Sequence, residues 1–135
     1  MFQAQTNLVL FVGLQVSLFE DSSYVYRDTF FVFFQPENRP SSDKVEACVA
    51  ELGKKYQTAN VKTENGDFES ITIKSPYDSS AMDITYVEGE EVTGQVSEMM
   101  EEFRTMTLVG DDHKKLAKFK TASSRFDIFH FEQIK

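Results

Sequence analysis

The chain has no tryptophan, one cysteine, three prolines and six glycines, and its 14 basic residues are outnumbered by 22 acidic ones. Each shortage closes off a class of explanation. A lone thiol, Cys48, forms no internal disulfide and cannot supply a cysteine-ligated zinc site; it agrees with a reducing compartment. The scattered glycines form no phosphate cradle. G-x-x-x-x-G-K, G-x-G-x-x-G, G-x-S-x-G and H-E-x-x-H are all missing, so no cofactor is expected. The net charge of −8 opposes the phosphates of a nucleic acid, which argues against that partner.

Targeting signals are equally scarce. Met1 to Asn7 holds no Lys or Arg, and the first cationic residue is Arg27, unlike a secretory leader. The apolar stretch from Leu8 is broken at Gln15, short of the roughly 20 residues a membrane helix needs. Phe2 excludes myristoylation, and Glu132-Gln133-Ile134-Lys135 is no prenylation box. The expectation is a soluble, cytoplasmic protein with no membrane contact.

What is present is an ordinary globular composition of 135 residues, 41% hydrophobic and 27% charged, which suits a single domain over residues 1–135. Phenylalanine is abundant, with 13 copies. Phe30, Phe31, Phe33 and Phe34 cluster, as do Phe126, Phe129 and Phe131. Consecutive aromatics on a strand point to both faces, so such a strand is covered on both sides or leaves an exposed apolar patch.

Alternation from Leu8 to Leu18 predicts a first strand, and Tyr24 to Gln35 a second, joined by a short hairpin link. Pro36 and Pro40 exclude a regular element between them. Ser41, Ser42 and Asp43 offer helix caps, and Asp43 with Glu46 has capping-box spacing. Val45, Cys48, Val49, Leu52 and Tyr56 then recur at helical spacing, which places Cys48 as a buried structural thiol. Asn65-Gly66 predicts a type I′ hairpin turn, and Met82, Ile84 and Tyr86 mark the next strand. Val92, Val96, Met99, Met100 and Phe103 predict a helix over 91–104. Asp111 caps a third helix through about Lys120, with Leu116 and Phe119 inward, and Arg125 to Ile134 closes the chain as a strand. The order is ββαβββααβ. It predicts an α+β fold with an antiparallel sheet and helices mainly on one face. A ferredoxin-like variant and a curved sheet wrapping one helix are the two candidate arrangements.

Five constellations bear on chemistry. His130 and Glu132 share a strand face and form a His–carboxylate pair for metal or acid–base work, with Asp127 or Arg125 joining through a bend. Two ligands fall short of a usual zinc set, so a polar strand end is the plainer reading. His113 with Asp111 and Asp112 can be read as a metal cluster, although the same carboxylates suit a helix N-terminus. Cys48 is the third. The Glu-rich run, with Glu98, Glu101 and Glu102 facing solvent, is a solvated face or a docking surface for a basic protein. The basic run Lys114, Lys115, Lys118, Lys120 and Arg125 faces either solvent or the acidic helix of a second copy. Phe119 and Phe126 beside it suggest a weak stacking platform for single strands. The leading expectation is a small acidic interaction module that forms a homodimer, with Phe31 and Phe33 at the contact. The alternatives are an enzyme centred on His130 and Glu132, and an acidic inhibitor or immunity-like protein that masks a basic partner.

Overall fold

The computed structural model describes residues 17–134. The strand expected from Leu8 lies outside them except for its end, and there the expectation fails: Leu18–Glu20 is a 3₁₀ turn. Ser17 Oγ accepts the Phe19 N–H at 3.2 Å, a local bond that competes with extended backbone. The elements that follow are β1 (Tyr24–Phe34), α1 (Ser42–Leu52), β2 (Gln57–Glu64), β3 (Asp67–Ser75), β4 (Ser80–Glu88), α2 (Glu90–Phe103), α3 (Asp112–Lys120) and β5 (Ser124–Gln133). A short 3₁₀ turn, Pro36–Asn38, occupies the stretch where no regular element was expected. Its proline sits at the first position, where the missing N–H does no harm.

The strands form one antiparallel sheet ordered β1-β5-β4-β3-β2, so the architecture is α+β as expected. The ferredoxin-like variant does not describe it. A split βαβ unit leaves another strand between two parallel ones. Here α2 and α3 join β4 to β5, which are adjacent and antiparallel, while α1 joins β1 to β2, the two edges of the sheet.

Side-chain alternation sorts the sheet into two layers. On one face, Phe126, Ile128, His130 and Glu132 of β5 lie opposite Tyr86, Ile84, Met82 and Ser80 of β4. Val49 of α1 packs here on Phe68, Ile71, Ile73 and Tyr86, with Phe34 and Phe126 beside them. On the other face lie Arg125, Asp127, Phe129 and Phe131. Val92 and Val96 of α2 pack there with Ala122, Phe33, Val87 and Phe119 of α3, while Leu18 packs on Ala81 and Phe131. Two of the three helices thus share a face.

Local chemistry explains the boundaries. Ser41 Oγ accepts the Lys44 N–H at 3.2 Å and caps α1; Asp43 lies inside the first turn instead of capping. Gly53 ends the helix at φ 124°, a conformation that penalises any Cβ. Asn65 and Gly66 both have positive φ, 52° and 89°, as the type I′ turn requires. The buried line of α1 is narrower than its apolar stripe. Val45 and Val49 face the sheet, but Cys48 is exposed and Leu52 is 65% exposed. The buried-thiol reading of Cys48 is therefore corrected. Positions three apart are rotated roughly 60° on a helix, and α1 lies over β2 and β3 at one side of the sheet, so that flank finds no cover. Among the described residues, no helix is long and apolar enough to cross a membrane.

Candidate functional site

Strand β5 carries both polar centres, one on each face. On the α1 side, His130 Nδ1 lies 3.1 Å from Asp28 Oδ1, and its Nε2 lies 3.1 Å from Ser80 Oγ. A β-bulge creates the first contact. Tyr26 opposes Phe131, and the next partner pair is Asp28 with His130, so Arg27 is the extra residue. Unbroken pairing would have set Arg27 against His130. Ser80 begins β4 opposite Glu132, which makes it the diagonal neighbour of His130. The side chains of His130 and Asp28 are 36% and 54% exposed, so the trio faces solvent. Glu132, expected to work with His130, instead pairs with Arg27 at 3.4 Å.

Arg125 and Asp127 do not join His130. Their odd spacing from it puts them on the opposite face, and no bend in β5 brings them round. Arg125 is 4% exposed and fully engaged. Its Nε and one terminal nitrogen both donate to the Asp127 carboxylate; the terminal nitrogens also reach Glu91 at 2.9 Å and Gln95 at 2.5 Å. The guanidinium lies 4.8 Å from the centre of the Phe31 ring. The Asp127 hydrogen bond, with help from Glu91 and against the effect of burial, holds Arg125 above its ordinary pKa. Arg125 is thus a buried structural cation and no part of the basic surface run. Lys114, Lys115, Lys118 and Lys120 of α3 remain exposed.

The metal expectations find no support in this geometry. Among the described residues, no group of three or more His, Cys, Asp or Glu side chains is placed to hold an ion. His113 is exposed at the start of α3. Asp111 makes no side-chain cap bond, and Asp112 Oδ2 accepts the Val109 N–H at 2.9 Å instead. Phe119 and Phe126 form no shared platform. Phe119 packs on Phe33 and Phe103, whereas Phe126 lies through the sheet among Phe34, Phe68 and Tyr86. Glu98, Glu101 and Glu102 are exposed on α2, with Glu101 paired to Arg104 at 3.2 Å.

The two sheet edges differ. At β2 the pairing is irregular at two points, Asn60 has φ 54°, and Lys62 and Glu64 add charge. At β1, Arg27, Asp28 and the bulge guard the first half. Among the described residues the second half has no such guard: Phe30, Phe31 and Val32 are 53%, 44% and 45% exposed. Phe33, expected with Phe31 at a contact, is occupied instead, its ring 5.0 Å from that of Phe119. An open groove of about 600 Å³ lies on the α2 side of the sheet, with Thr72, Asp83, Thr85 and Asn60 among its walls.

No protein-family model, curated protein or solved structure matches the chain.

Proposed function

We propose that the chain is an interaction module whose partner is a second copy of itself, paired antiparallel through β1. The observation that carries this reading is the exposure of Phe30, Phe31 and Val32 in the middle of an edge strand. An edge presents unpaired N–H and C=O groups, and folded proteins blunt it with charge, proline or a bulge. The β2 edge and the first half of β1 carry such devices; among the described residues the run from Thr29 to Phe34 has none. A strand laid against it needs apolar side chains on both faces, because Phe30 and Val32 project to one side and Phe31 to the other. The β1 run meets that requirement itself, and a two-fold contact is self-complementary by construction.

Sedimentation velocity across the micromolar range tests the idea, and a dimer is the expected species. Phe30→Lys puts two cations near the two-fold axis and should weaken association by at least about tenfold, equivalent to about 1.4 kcal/mol. Leu52→Lys, at an exposed site on α1, should leave the dimer intact. A protein that sediments as a monomer throughout removes the proposal.

A further inference from the structure

We propose that Ser80, His130 and Asp28 form a nucleophilic acyl-transfer site acting on small activated esters, with Ser80 Oγ as the nucleophile. The argument rests on the order of three side chains and does not depend on dimerisation through β1. An ionised carboxylate can only accept, so Asp28 fixes the proton of a neutral His130 on Nδ1. Nε2 is then the acceptor, and the Ser80 hydroxyl donates to it. Both distances, 3.1 Å, lie within the reach required of a general base and its orienting group. The three residues come from β4, β5 and β1, so paired strands hold them in place. The bulge at Arg27 contributes directly, because it brings a carboxylate and not a guanidinium opposite the imidazole.

The step balances without a cofactor. Ser80 Oγ adds to the ester carbonyl carbon while its proton passes to His130 Nε2. The imidazolium, held by Asp28, then protonates the departing alkoxide, which leaves as the alcohol. Water repeats the sequence on the acyl-Ser80, releasing the carboxylic acid and restoring the hydroxyl. The trio lies on an open sheet face, and neither large cleft of the described residues includes it. It therefore suits short acyl groups with good leaving groups. Ser80 and His130 are the catalytic residues, and Asp28 is a positioning residue.

The test uses 4-nitrophenyl acetate on the full chain, with peptide mass spectrometry to locate the acetyl group. Acetylation is expected on Ser80. It should be lost in Ser80→Ala, retained in Ser80→Cys, and slowed about 100-fold in His130→Gln. Circular dichroism checks that each variant is folded. Asp28→Asn should lower kcat with KM little changed, and Asp28→Glu should restore part of the loss, a rescue that a merely structural role would not produce. Acetyl groups spread over lysines at a rate unchanged in Ser80→Ala, or full Ser80 reactivity in His130→Gln, would overturn the assignment.

Discussion

Arg125 shows how much one side chain can hold in place. It ties β5 to α2 through Glu91 and Gln95, saturates Asp127 on its own strand, and lies over Phe31 of β1. Removing the cation leaves Asp127, itself 9% exposed, without its counter-charge. Arg125→Ala should therefore cost about 3–5 kcal/mol in urea unfolding. Arg125→Met combined with Asp127→Leu should recover most of that loss, since the pair's desolvation penalty disappears with it. A loss below about 1 kcal/mol in the single variant would show that the network contributes little. Asp78 is a smaller case of the same logic. The Ser75 hydroxyl, then Lys55, holds its pKa below the ordinary 3.8. Folding favours the carboxylate, so this contribution is present above that value and is lost as pH falls through the lower folded midpoint. Ser75→Ala should raise the Asp78 midpoint in an NMR titration; an unmoved midpoint would assign the effect to Lys55.

At the level of elements, a boundary depends on which side chain reaches an orphan N–H. Ser41 does so for α1, and Asp43 does not. Ser41→Ala should lower thermal stability by about 1 kcal/mol, and Asp43→Ala by only a few tenths. Equal losses would mean that Asp43 shares the cap. The same comparison marks what sequence pattern conveys. Alternation identified β1, β4 and β5, and Asn65-Gly66 identified the β2–β3 turn, because each signal is local. The expected burial of Cys48 fails because helical spacing reveals an apolar stripe but not the width of the sheet beneath it. Of Ser80, His130 and Asp28, sequence pattern points only to His130. Nothing in the string Tyr26-Arg27-Asp28 announces a bulge, and Asp28 reaches His130 only through it. Ser80 stands at a strand start with no motif around it, and only the β4–β5 register reveals its neighbour.

The whole molecule adds a long-range term. Each copy carries a net charge of −8, so two copies repel before they touch. The screening length falls from about 10 Å at 0.1 M salt to about 3 Å at 1 M. A dimer joined by apolar edge strands should therefore tighten as salt rises, which sedimentation at graded ionic strength would reveal. Weakening with salt would point instead to the acidic face of α2 meeting the lysines of a partner's α3. Sheet order has a consequence of a different kind, in time. β1 is the first of the five strands to leave the ribosome, yet among the described residues its only neighbour in the sheet is β5, the last. The β2–β3–β4 meander can pair as it emerges, whereas the phenylalanine-rich strand waits for nearly all the rest of the chain. At about 5–20 residues per second, that wait is on the order of five to twenty seconds. Throughout it, β1 is a natural target for a chaperone, and nascent chains halted before Ser124 are the ones expected to clump.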